Sequence, residues 1–483
     1  MRTMLGPFNY QVSLPAVCLV LLASPLQADI LLLKDGRVID GPMMERGEET
    51  CTIHFKNGDV LVPNDWVEDL FLAADLEGLA KNRRRSLEKQ GEERLEQIEE
   101  ALAHAEWGNA YEEETSNFRW KYTLPKRVAE MFQDRLESYY KIFAKEWRVK
   151  RDKRKKKMMI NFFANRKEFM RTSGAGGGAL AYFMFLGDYD LCCFYDRLDM
   201  TSTEMVLYHE ASHYLQKLLN EDFKMPHWPG EGIAEYYGGA LWDPKKKVLN
   251  VGLVQEGRLT EVQNDIASGE LLTVEQIVLK DAYTDYTWGW ALIHFFMNDK
   301  TLKKGFLKYA NGLANDKKVN RQRGSFNLQM VTPEESLRYL RECLKLTEDS
   351  DMEELTQRFH TYIEEDLVIE GAAGLEKAGM GAVQAGKRIR ARRLFSEANA
   401  EGGLSAVGCY QYAKLVRSSD KNLARDLYRQ ATELAPLTGT YWYEFGRLHT
   451  DEEEGKRFKA LGKELDPEVG VYDIDFEDSD DSE

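Results

Sequence analysis

His209-Glu210-Ala211-Ser212-His213 is the stretch of this 483-residue chain whose residue types and spacing most directly specify chemistry. On a helix, side chains four apart lie one above the other, so His209 and His213 can offer two imidazole nitrogens to one ion. Glu210 can then reach a water held by that ion, the arrangement of a zinc hydrolase. The flanks predict the helix. Thr201 and Glu204 have capping-box spacing, and Val206, Leu207, Ala211, Tyr214, Leu215 and Leu218 form an apolar stripe.

Catalytic zinc usually takes three protein ligands, so a third must come from elsewhere. Gln216 and Leu219 occupy the places where a metzincin carries its glycine and third histidine, which excludes that class. His227 is close by but has no helical or motif context. Glu231 has both, in Trp228-Pro229-Gly230-Glu231-Gly232-Ile233-Ala234-Glu235-Tyr236-Tyr237, where Pro229 suits the first turn of a second helix. Glu231 and Glu235 share one face of it. One of these carboxylates can bind a metal while the other accepts the N–H of a ligand histidine and fixes its tautomer. Without the upstream motif the pair would read as an exposed acidic edge.

With these motifs the chain resembles the gluzincins of the peptidase-MA-like superfamily, the group of thermolysin and aminopeptidase N. That likeness rests on His-Glu-x-x-His, on Glu231 with seventeen residues separating it from His213, and on Trp228, Glu231, Gly232, Ala234 and Tyr236. The interval is slightly short of the family's own. The similarity runs from about Ser116 to Asp366 and takes in a strand-like segment, Ser116 to Pro125, and a helix-like one, Tyr286 to Phe296. It implies one zinc ion on His209, His213 and Glu231, Glu210 as general base, and Glu235 as the acid behind a ligand histidine. It also implies that Tyr286 stabilises the oxyanion, with Tyr283 and His227 as alternatives, although Tyr286, Trp290, Ile293 and Met297 equally read as a core-facing stripe. The Gly-x-Met-Glu-Asn segment with which aminopeptidase N relatives hold a substrate's amino terminus is missing. Ser173-Gly174-Ala175-Gly176-Gly177-Gly178 stands there instead, so endopeptidase activity is the expectation. This run is a poor phosphate loop, and it reads either as letting a strand edge receive a peptide or as a flexible hairpin.

The expected fold class is α+β and multidomain. Residues 1–28 have the pattern of a secretory signal, with Arg2 as the only charge, an apolar run from Val12 to Ala23, and Ala28 before the cleavage point; an uncleaved anchor is the alternative. Secreted, periplasmic or cell-envelope location follows. Residues 29–72 show two hairpin signals, Asp35-Gly36 and Asn57-Gly58, between short apolar runs. They predict a small antiparallel β module, similar to an SH3-like barrel, that would dock partners. Residues 73–115 read as a charged helical connector. The metallopeptidase domain is expected over 116–370, with a helix near Lys126 to Trp147 and strands at Met158 to Phe163 and Leu191 to Tyr195. Gly371 to Gly386, rich in glycine and alanine, reads as a boundary.

A repeat follows over 381–470. Ala391-Arg392-Arg393-Leu394-Phe395-Ser396-Glu397-Ala398 returns as Ala424-Arg425-Asp426-Leu427-Tyr428-Arg429-Gln430-Ala431, and Glu433-Leu434-Ala435-Pro436 as Glu464-Leu465-Asp466-Pro467. The period resembles that of tetratricopeptide repeats, which bind extended peptides or partner proteins; a helical cap on the catalytic lobe is the other reading. Residues 471–483 form an acidic tail. The net charge of −16 argues against a nucleic-acid partner. After Cys18, five cysteines remain without framework or zinc spacing, and adjacent Cys192 and Cys193 point to opposite faces of a strand. The expected partner is a peptide or protein substrate. The alternative to an enzyme is a cell-envelope scaffold with a non-catalytic zinc lobe and partner-binding repeats.

Overall fold

The computed structural model describes residues 29–33, 38–40, 42–72, 89, 93, 96, 100–176, 179–185, 188–196, 198–243, 246–281 and 286–466. The signal-like segment, most of the connector, Tyr283, Gly177, Gly178 and the acidic tail lie outside them. The chain is mixed α+β and divides into two units, residues 1–97 and 98–483.

The first unit holds two small antiparallel sheets. One has β1 (Ile30–Leu33) between β2 (Val38–Asp40) and β6 (Val67–Phe71), and all four residues of the central strand are buried. The other has β4 (Thr50–Phe55) between β3 (Met43–Arg46) and β5 (Gly58–Pro63). Phe55 pairs with Gly58 across the expected Asn57-Gly58 turn, and Cys51, Ile53, Val60 and Val62 alternate inward.

The second unit is built on a five-stranded sheet. Its order is β10 (Ala181–Met184), β11 (Asp190–Phe194), β9 (Met158–Phe163), β8 (Phe118–Tyr122), β7 (Tyr111–Glu114). The three central strands are parallel; β7 and β10 run antiparallel at the edges. Strand β7 corrects the sequence reading, which placed these residues in the helical connector. Its glutamates look like a charged helix in isolation, but Glu112 pairs with Lys121 at 2.9 Å and Glu114 with Lys157 at 2.7 Å, edge contacts that only the sheet supplies.

Helix α1 (Lys126–Trp147) lies where expected and joins β8 to β9. Ala129, Phe132, Leu136, Tyr139, Tyr140, Phe143 and Trp147 give it a buried stripe at helical spacing. Phe118, Trp120 and Tyr122 of β8 belong to the same core. The opposite face of the sheet is covered by α2 (Arg166–Ser173), whose Phe169 packs with Phe163 and Cys192. Cys193 enters the main core instead, so the adjacent thiols do occupy opposite faces.

Three helices carry the site residues: α3 (Met200–Lys217), α4 (His227–Gly238) and α7 (Tyr286–Asn298). Between the last two come α5 (Glu256–Ala267) and α6 (Val274–Lys280). Helix α7 is apolar nearly all round and buried from Thr287 to Met297, as a central core helix must be. Gly232 of α4 lets it come close to α7: a Cβ there would fall 2.5 Å from Gly289 O. Helices α8 (Lys303–Asn315), α9 (Pro333–Leu344) and α10 (Asp349–Glu365) complete the lobe.

Three helical hairpins follow, α11 (Gly371–Gln384) with α12 (Arg388–Glu401), α13 (Ala406–Val416) with α14 (Lys421–Leu434), and α15 (Gly439–Leu448) with α16 (Glu452–Leu465). The sequence repeat is the second helix of successive hairpins. Ala391, Leu394, Phe395 and Ala398 are buried in α12, and Ala424, Leu427, Tyr428 and Ala431 are their buried counterparts in α14. The stretch expected to be a boundary is helix α11. Two of its glycines serve close helix packing, Gly379 lying against Phe395 of α12 and Gly381 against Gly257 of α5. Among the described residues no helix is long and apolar enough to cross a membrane.

Candidate metal centre

Helix α3 begins two residues before the capping box read in the sequence. Asp199 is the N-cap and accepts from Ser202 N at 2.9 Å, while Glu204 is buried and ion-paired with Arg135 of α1. Both Asp199 and Thr201 can cap a helix; the buried arginine, distant in sequence, takes Glu204 away from Thr201. Leu207, Ala211, Tyr214 and Leu215 then face the core, and Ser212 Oγ lies 2.5 Å from Tyr139 Oη. His209 and His213 are left on the half-buried face.

Helix α4 starts at His227, which puts Pro229 in the first turn as expected, where a missing N–H costs no helical bond. Gln216 Nε2 donates to Gly230 O at 2.8 Å, and Trp228 N donates to Asp281 Oδ1 at 2.9 Å. The first bond holds the start of α4 across the end of α3, the second ties its first turn to the end of α6, and Glu231 lies over the two imidazoles.

The three candidate ligands meet. His209 Nε2 and His213 Nε2 are 3.3 Å apart, and Glu231 Oε2 is 3.4 Å from each. Ligand atoms about 2.0–2.1 Å from a tetrahedral zinc are separated from one another by about 3.3–3.4 Å, so this triangle is one face of such a tetrahedron. Glu231 Oε2 is also buried and accepts no hydrogen bond of ordinary geometry among the described residues. A buried carboxylate oxygen in that condition needs a cation. Two imidazoles and a carboxylate are a donor set that suits zinc. Among the described residues no other trio of His, Cys, Asp or Glu comes together in this way.

Behind the triangle stands a second layer. His209 Nδ1 lies 3.3 Å from Glu235 Oε1, so Glu235 can hold the ring with Nε2 toward Glu231 and His213. Arg258 of α5 grips Glu235 with a fork, Nε to Oε2 at 2.9 Å and Nη2 to Oε1 at 2.7 Å. Burial alone would strip His209 of charge, but Glu231 and Glu235 outweigh it and push the imidazole up to about 10. Burial would likewise raise Glu231, yet the facing imidazoles bring its carboxyl down to about 2. Glu235 is held well below the usual carboxylate range by the charge of Arg258 and by His209, against its burial. The pocket is thus built to keep positive charge between its acids, a proton or a metal ion alike.

Glu210 follows His209 on α3 and is half-buried, and its charge adds to the burial that raises the thiol of Cys193 on β11. Tyr286 opens α7 with its ring 6.1 Å from that of His209 and 5.3 Å from the Arg258 guanidinium. His227 stands outside the triangle, near Asp281, and Tyr283 lies beyond the described residues. The glycine run precedes β10, an edge strand packed near α3. Sequence reading missed Arg258 and Glu261, whose carboxylate is 3.6 Å from Arg258 Nη1. A lone arginine in an amphipathic helix carries no motif, so only the tertiary contact identifies it. The chain matches no family model, and no curated protein matches it.

Proposed function

We propose that this chain is a zinc-dependent peptidase, an endopeptidase of gluzincin type, with His209, His213 and Glu231 as metal ligands. The observation that carries the reading is the triangle of two Nε2 atoms and one buried carboxylate oxygen with sides of 3.3 to 3.4 Å. Zinc bound there supplies a water activated near neutral pH and a polarised substrate carbonyl. Glu210 takes a proton from the attacking water and delivers it to the leaving amine. Glu235 fixes the tautomer of His209, and Tyr286 donates a hydrogen bond to the oxygen on which charge develops. The backbone edge of β10 receives the peptide as an added strand, which supports cleavage within a chain rather than at its end.

In this reading the protein is exported, its β module and C-terminal hairpins engage partner proteins, and the hairpins are of tetratricopeptide type. Metal analysis together with proteome-wide cleavage profiling tests the assignment. Wild type should hold one zinc and cleave; Glu210→Ala should hold the zinc and lose cleavage. Stoichiometric zinc in a protein that cleaves no member of a broad peptide library would replace the enzyme with a scaffold. Full activity in Glu210→Ala would remove Glu210 as the base.

A further inference from the structure

Helix α5 contributes no metal ligand, yet it connects the candidate centre to the first C-terminal hairpin. Toward the centre it sends Arg258, whose fork holds Glu235 against His209. Toward the hairpin it is gripped at four successive places. Lys377 Nζ lies 3.3 Å from Glu256 Oε1, Arg390 Nη2 donates to Thr260 O at 2.7 Å, and Lys387 Nζ lies 2.8 Å from Glu261 Oε1. Between these polar contacts the backbones touch, because a Cβ on Gly381 would fall 2.7 Å from Gly257 Cα.

Glu261 belongs to both sides. Its Oε2 accepts from Thr287 Oγ1 at 2.6 Å, one residue after Tyr286, and lies 3.6 Å from Arg258 Nη1. Lys387, Glu261, Arg258, Glu235 and His209 therefore form a continuous line of charged contacts from the turn between α11 and α12 to a metal ligand. A carboxylate behind a ligand histidine works only if its own orientation is fixed, and here a bidentate guanidinium fixes it. That guanidinium stands where α5 stands, and the hairpin seats α5.

We infer that Arg258 is a positioning residue for the metal centre and that the α11–α12 hairpin, by seating α5, helps set the affinity of the site for zinc. The inference rests on the metal reading of His209, His213 and Glu231. Loosening the hairpin frees Arg258, the fork on Glu235 loosens, and the His209 ring loses its fixed orientation. Changes of such supporting groups weaken metal binding by about 10- to 100-fold.

The test uses the full chain, with Zn2+ affinity from chelator competition and the visible spectrum of the Co2+-loaded protein. Arg258→Ala should weaken zinc binding by about 10- to 100-fold and alter the cobalt band, and Arg258→Lys, which keeps the charge without the fork, should fall between. Gly381→Val, which pries α11 from α5, and Lys387→Glu, which sets like charge against Glu261, should shift affinity in the same direction at unchanged far-UV circular dichroism. If Gly381→Val does not fold, Lys387→Glu still decides. Wild-type affinity and an unaltered cobalt band in these hairpin variants overturn the inference alone. Equal zinc binding by wild type and His209→Ala overturns the metal reading, and the inference with it.

Discussion

Glu231 Oε2 stands 3.4 Å from His213 Nε2, although the two residues belong to different helices and seventeen residues separate them. Two hydrogen bonds enforce this approach, Gln216 to Gly230 and Trp228 to Asp281, one spanning α3 and α4 and the other anchoring the first turn of α4. The carboxylate is buried, faces two ring nitrogens, and has no better partner among the described residues. Its position is costly unless a cation shares it.

Glu231→Gln keeps the volume and removes the charge, so it separates ligand from packing. Zinc affinity should fall by more than the roughly 10- to 100-fold that follows loss of an outer-shell partner. Elemental analysis after dialysis and chelator titration report it. Retention of wild-type affinity would leave two histidines as the whole site and reject the three-ligand assignment.

Tyr286→Phe removes one hydroxyl and leaves the ring against Arg258. If that hydroxyl serves the developing oxyanion, kcat should drop by about 10²- to 10³-fold with KM little changed. An unaltered kcat would make Tyr286 a packing residue like Trp290 and Ile293, which are fully buried on the same helix. Steady-state kinetics on a single peptide substrate distinguish the two.

The parts of this fold that were legible in the sequence are those governed by local rules. The four-residue spacing of His209 and His213, the apolar period of α1 and the Asn57-Gly58 turn each fix their own element. Glu231 was legible because its helix has its own proline signal. What failed was decided by distant partners. Glu204 offered a capping box, and buried Arg135 claimed it instead. Gly371 to Gly386 had linker composition, but glycine also permits the closest helix contact, and α5 was waiting opposite Gly381. Arg258 was invisible for the same reason: the contact that gives it a role joins residues 23 apart on separate helices.

The metal-free protein should show a bounded pH window for this cluster. His209 is raised from 6.5 to about 10, so its contribution to stability is complete below 6.5 and is lost as pH rises through about 10. Glu231 is lowered from 4.5 to about 2, so its contribution is complete above 4.5 and disappears as pH falls through about 2. The stability difference between wild type and Glu231→Gln, both stripped of metal, should therefore be largest between 4.5 and 6.5 and shrink on either side. Urea midpoints measured across pH test this, and a flat difference rejects the coupled cluster. Zinc displaces the His209 proton, so apparent zinc affinity should climb with pH over the same upper range.

The seating of α4 on α7 makes the last prediction, and two neighbouring glycines provide the contrast. At Gly232 a Cβ would meet Gly289 O at 2.5 Å and Ile293 Cγ1 at 2.7 Å, and both belong to the buried α7. The helices must separate to admit it, at a cost of about 1–3 kcal/mol for overpacking. Glu231 is the preceding residue, so the same displacement moves the carboxylate away from the imidazoles. Gly230 sits two residues earlier, where a Cβ would find only ordinary contacts at 3.6 Å with Gln216 and Met225. There alanine gains helix propensity worth up to about 1 kcal/mol and disturbs nothing. Gly232→Ala should accordingly lose stability and zinc affinity together, while Gly230→Ala keeps the affinity and holds or gains stability. Urea denaturation and chelator competition on the two variants measure both quantities. Because the substitutions are chemically identical and two residues apart, equal behaviour would mean that the α4–α7 contact does not position Glu231.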